Sequence, residues 1–100
     1  MSCGAPEQGG SLDPVAAAGQ TVIQGQVLRD AAPVPSAYVR LLDAGGEFTA
    51  EVVTSANGGF RFFAAPGEWT LRALARGAQG ERSVRAAPGV TSVQLELAAT

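Results

Sequence analysis

The chain has 100 residues, 46% of them hydrophobic and only 16% charged, which fits one domain rather than two and leaves less charge on the surface than the ~25% usual for a soluble protein. A net charge of −2 with seven arginines, no lysine and no histidine excludes a basic nucleic-acid footprint and every mechanism built on a histidine base or ligand. No run approaches the ~20 apolar residues that cross a bilayer as a helix.

Residues 1–20 contain four glycines, two prolines and four alanines, with no helical or strand period. They predict a flexible tail, since so little apolar surface cannot offset the entropy of ordering, and they carry the single cysteine, Cys3. The tail has neither the positive start nor the apolar run of a secretory signal, so a cytoplasmic location without membrane association is expected. A lone cysteine agrees with a reducing compartment.

From residue 21 to residue 100 the pattern becomes short β-prone runs separated by Gly, Pro, Asn or Asp every 8 to 12 residues or so, the spacing of an all-β sandwich. Seven strands are expected. Thr21 to Arg29 alternates with Ile23, Gly25 and Val27 on one face. After a turn over Asp30 to Pro35, Ser36 to Asp43 points Ala37, Val39 and Leu41 inward and Tyr38, Arg40 and Leu42 outward. Asp43-Ala44-Gly45-Gly46 then ends that strand. Glu47 to Thr54 shares Phe48, Ala50 and Val52 on one face and Thr49, Glu51 and Val53 on the other. Asn57, Gly58 and Gly59 suit a hairpin loop. The run Gly59-Phe60-Arg61-Phe62, a Pro66-Gly67 corner and Trp69-Thr70-Leu71 read as another hairpin, with Phe60, Phe62, Trp69, Leu71 and Ala73 filling the core. Arg82 to Ala87 is the weakest strand, burying only Val84 and Ala86; Val90 to Leu97 points Val93, Leu95 and Leu97 inward. No helix is expected.

Several of these segments resemble a known fold family. Ile23-x-Gly25-x-Val27, Pro33 to Leu41, Gly59-Phe60-x-Phe62, Pro66-Gly67-x-Trp69-x-Leu71 and Val93-x-Leu95-x-Leu97 look like the carboxypeptidase regulatory-like, or transthyretin-like, Greek-key β-sandwich. The transthyretin-like hydrolases of purine breakdown depend on histidines, so their activity does not carry over. Val39 to Asp43, Glu47 to Val53, Phe60 to Gly67 and Trp69 to Leu74, with a cysteine near the start, are similar to the SseC-like family of small actinobacterial proteins of unknown function. That resemblance implies a link to sulfur metabolism and to a rhodanese-type sulfurtransferase as partner. It supplies no catalytic residues.

Chemistry is sparse. Calcium loops of alternating acids, phosphate-binding glycine loops and paired catalytic carboxylates are missing from the sequence, and one cysteine with no histidine cannot assemble a zinc site. A non-enzymatic protein needing no cofactor and no metal is therefore expected. Cys3 is the one strong nucleophile: exposed in a tail it could take a sulfane sulfur as a persulfide, or stay idle as an ordinary thiol with a pKa near ~8.5. Tyr38, Arg40, Arg61, Phe63, Arg72 and Leu74 fall on outward faces, an aromatic and arginine mixture typical of interface centres; the alternative is loose pairing of Arg40, Arg61 and Arg72 with Glu51 and Glu68. Two functions follow: an accessory protein that docks on a sulfurtransferase and receives sulfur on Cys3, or a plain protein-binding scaffold, self-associating as a homodimer or joining another chain.

Overall fold

A computed structural model describes residues 20–99. Its elements are β1 (Thr21–Arg29), β2 (Ala32–Pro33), β3 (Tyr38–Leu42), β4 (Phe48–Val53), β5 (Gly59–Phe63), β6 (Gly67–Ala75), β7 (Ala78–Ala86), β8 (Gly89–Glu96) and β9 (Ala98–Ala99). The seven expected strands are present, joined by the two-residue strands β2 and β9. Strand β7 is the chief extension: it starts four residues before Arg82, because Ala78 is buried in the core and Ala78 and Gln79 pair with Ala75 and Leu74 across the β6–β7 hairpin.

The strands form two layers. In the four-stranded sheet β1 is central, antiparallel to β5 and β2 along one edge and parallel to β8 along the other. The five-stranded sheet has the order β4-β3-β6-β7-β9. Neighbours out of chain order, such as β3 beside β6 and β1 beside β8, make this a sandwich in which the chain changes sheet after β2, β4, β5, β7 and β8. Two expected hairpins are thereby corrected. The Asn57-Gly58-Gly59 loop joins β4 to β5 in the opposite sheet, and the Pro66-Gly67 corner likewise carries β5 to β6; turn residues mark a reversal but do not specify which sheet receives the next strand.

Alternation dictates what lies between the layers. Ile23, Val27, Phe60, Phe62 and Leu95 from one sheet meet Ala37, Val39, Leu41, Leu71, Ala73, Val84 and Ala86 from the other, with the Phe60 and Phe62 ring centroids 6.1 Å apart. Trp69, expected at the core centre, is only half-buried, and its indole N–H donates to the Ala65 carbonyl at 2.8 Å. A wide ring with one polar edge sits at the rim where that edge finds an acceptor. Gly25 faces inward; a Cβ there would lie 1.9 Å from the Val93 carbonyl oxygen and 3.0 Å from the Phe60 ring.

A register shift overturns one facing. Between Leu41 and Leu42 the pairing slips by one residue, so that Leu41 opposes Ala50 while Leu42 opposes Phe48. The extra residue is a β-bulge, which re-aims what precedes it on the bulged strand. Phe48 moves from the inner face to the outer and is 61% exposed.

Candidate functional site

The outer face of the five-stranded sheet is built from three cross-strand rows. Tyr38 stands between Val53 and Leu74, with Gln79 beyond; Arg40 stands between Glu51 and Arg72, with Glu81 beyond; Leu42 stands between Phe48 and Thr70, with Ser83 beyond. Each row exists because a strand places alternate residues on one face and antiparallel pairing fixes which meet.

The middle row carries the charge. Arg40 Nε donates to Glu51 Oε2 at 2.7 Å, and Arg72 donates through Nε at 3.1 Å and a terminal N–H at 2.8 Å to Glu81 Oε2. The two arginines therefore face each other across β3 and β6 while each is held from its far side by a glutamate. Like charges directly opposite destabilise a sheet, and the flanking acids offset that. Both pairs are solvent-accessible, so each contributes only ~0 to 1 kcal/mol to folding. A guanidinium has five donors, of which Arg40 uses one and Arg72 two in these pairs. Arg40, Arg72, Leu74, Gln79, Gly80 and Glu81 line an open cleft of about 530 Å³.

Four of the six outward candidates, Tyr38, Arg40, Arg72 and Leu74, are thus brought together on one face. The other two are not. Phe63 and Arg61 lie on the outer face of the other sheet, opposite Val22 and Gln24 of β1. Phe63 is exposed as expected, whereas Arg61 is buried at 7% exposure, which corrects its reading as a surface contact residue. The expected ion pairs are also redistributed: Arg40 takes Glu51, Glu68 pairs with Arg85 at 3.4 Å, and Arg72 takes Glu81. Glu81, the residue opposite Arg72, precedes the run Arg82 to Ala87 in which the alternating pattern predicts a strand, so the sequence carries no mark of its place in the row. Cys3 lies outside the described residues. Among the described residues no group of three or more His, Cys, Asp or Glu could hold a metal, and no helix is long and apolar enough to cross a membrane.

Fold and face together define a small two-layer β-sandwich with one mixed apolar and charged sheet surface. Residues 3–97 match the family described as "Protein of unknown function (DUF1416)", and the chain belongs to that family. It is 48% identical over 98 residues to the uncharacterized proteins Rv0814c and Rv3118 of Mycobacterium tuberculosis, a span of 95% of this chain and 98% of theirs. An uncharacterized protein of Mycolicibacterium smegmatis is 51% identical over 83 residues, 79% of this chain and 90% of its own. The resemblance to small actinobacterial proteins of unknown function holds at that level. In three dimensions the chain is similar to a DUF3823 family protein from Parabacteroides merdae, with a TM-score of 0.60 at 19% identity over 82% of this chain and 47% of that one. This chain spans about half of that structure, and the likeness is one of fold.

Proposed function

We propose that the protein is a non-enzymatic binding module that docks a partner protein on the outer face of its five-stranded sheet. One observation carries the reading: the opposed Arg40 and Arg72 lie between an apolar row, made of the exposed Val53 and Tyr38 and the half-buried Leu74, and the exposed Phe48. Aromatic and arginine side chains at the centre of a mixed patch are the residues on which interfaces concentrate binding energy. The partner that fits presents carboxylates between apolar side chains, since arginine reads a planar carboxylate through parallel hydrogen bonds. Backbone amide shifts of the full chain test this in two titrations, one against rising concentration of the chain itself and one against a rhodanese-type sulfurtransferase. Shifts confined to the Tyr38 and Arg40 rows in either titration, and lost in Arg72→Glu, are expected. Shifts on other surfaces, or none in both titrations, overturn the reading.

A second reading, that the protein also accepts sulfur, rests on Cys3 as the one thiol of the sequence and on the resemblance to the SseC-like family. The Cys3 thiolate would attack the outer sulfur of the sulfurtransferase persulfide, forming the Cys3 persulfide and returning the enzyme thiolate. Incubation with a rhodanese and thiosulfate should then add one sulfur atom to the intact mass, and Cys3→Ser should abolish the gain. No gain in the unmodified chain would rule this reading out.

A further inference from the structure

The outer face of the five-stranded sheet is complementary to itself. Strand β3 presents Tyr38 and Arg40 there, and its edge neighbour β4 presents Val53, Glu51 and Phe48 in successive rows. Of the five exposed large hydrophobic side chains among the described residues, Tyr38, Phe48 and Val53 stand on these two strands, a concentration of apolar surface that marks an interaction site. Between them lie one cation and one anion, the paired Arg40 and Glu51. The partner that fits Arg40 presents a carboxylate between apolar side chains. The face itself supplies one, because Glu51 lies between Val53 and Phe48 along β4.

We propose that the occupant of this face is a second copy of this chain, stacked sheet on sheet about a two-fold axis that runs along the strands between β3 and β4. The proposal rests on the reading of this face as a docking surface and names its partner. A two-fold interface uses the same patch on both copies, so every contact occurs twice, and aligned stacking is one of the ways in which two sheets pack face to face. An axis in this position lays β3 of one copy over β4 of the other. Arg40 then meets Glu51 of the second copy, Tyr38 covers Val53 of the second copy, and Phe48 covers the Leu42 row. Each guanidinium keeps its own glutamate at 2.7 Å and takes another, since a fork of five donors can serve two carboxylates; the four charges alternate in sign around a square. Other placements of the axis fit worse. Between β3 and β6 it would lay Arg40 over Arg72 of the second copy, and like charges set against each other across an interface oppose association. Between β6 and β7 it would match Arg72 with Glu81, but there it covers Thr70, Gln79 and Ser83 and leaves Phe48 and Val53 in water.

Sedimentation of the full chain over a range of concentrations, with reductant present so that Cys3 forms no cross-link, tests the proposal. The mass should rise from 10.1 kDa toward twice that value. Arg40→Glu and Glu51→Arg should each weaken the dimer about tenfold or more, because each sets two like-charged pairs against each other across the axis. Mixing these two variants in equal amounts should restore it. In the mixed dimer an acid meets a base at both contacts, while the pair within each chain stays broken, so recovery on mixing separates a contact between copies from a purely internal ion pair. Phe48→Thr leaves the charged pair whole and should weaken the dimer by a similar factor. A chain that stays monomeric, single variants that dimerise as the unmodified chain does, or a mixture that dissociates like its components overturns the proposal. A monomer whose Tyr38 and Arg40 rows still shift with the sulfurtransferase removes the second copy and keeps the docking reading; shifts in neither titration remove both.

Discussion

The tight turn between β1 and β2 places Asp30 at φ 53° and Ala31 at φ 66°. Arg29 pairs with Ala32 across these two residues, the geometry of a two-residue hairpin whose twist demands positive φ at both positions. Asp tolerates that region; Ala, with its Cβ near the following carbonyl, is penalised by roughly 1 to 2 kcal/mol. Ala31→Gly should therefore raise stability, by about 0.5 to 1 kcal/mol once the added freedom of the unfolded chain is subtracted. The urea midpoint reads this directly, and a fall would show that the turn is not strained as its angles indicate. Gly25 is the opposite case. Its Cβ would overlap the Val93 carbonyl oxygen at 1.9 Å, so Gly25→Ala should lose at least about 2 kcal/mol, by forcing β1 and β8 apart. The inward place of Gly25 was readable from alternation with Ile23 and Val27. The closeness of β8 was not, because a parallel partner nearly seventy residues away leaves no local mark.

Strands were legible as elements and less so as faces. Ala37, Val39 and Leu41 are buried as their alternation implies, since three consecutive odd positions of one chemistry leave a strand one way to lie. Phe48 fails the same rule because the bulge opposite Leu41 and Leu42 inserts one residue into the count, and nothing in the run Glu47-Phe48-Thr49-Ala50 marks it. The outcome can be measured as a contrast between two phenylalanines. Phe60 lies wholly inside the core, and Phe60→Ala should cost ~3 to 5 kcal/mol. Phe48→Thr should cost less than about 1 kcal/mol, the worth of its cross-strand pair with Leu42. Equal losses in chemical denaturation would place Phe48 in the core and contradict the bulge. The charged row behaves alike: Glu81→Gln should change stability by under about 1 kcal/mol, while partner capture through Arg72, if it uses that row, should change far more.

At the scale of the whole molecule the two sheets are joined along the side formed by β7 and β8. After Glu96 the chain leaves the four-stranded sheet; the Leu97 amide still donates to the Leu28 carbonyl at 2.8 Å, and Ala98 and Ala99 then pair with Gln79 and Ala78 at the edge of the five-stranded sheet. Gly80 sits at this seam, where a Cβ would lie 2.2 Å from the Glu96 carbonyl oxygen; Arg82 donates to the Gln94 carbonyl at 3.0 Å one step along. Such closure removes an exposed edge that could recruit another chain, and it makes β7 and β8 the hinge of cooperativity between layers. Gly80→Val should consequently do more than strain one strand. By holding β7 off β8 it should lower the unfolding midpoint, with a loss of about 2 kcal/mol or more, and it should raise amide exchange at Ala78 and Gln79 ahead of the β3 and β6 amides, which pair on the far side of the sheet. Exchange that rises uniformly in all strands would mean that the layers unfold as one unit regardless of the seam, and that Gly80 marks only a local fit.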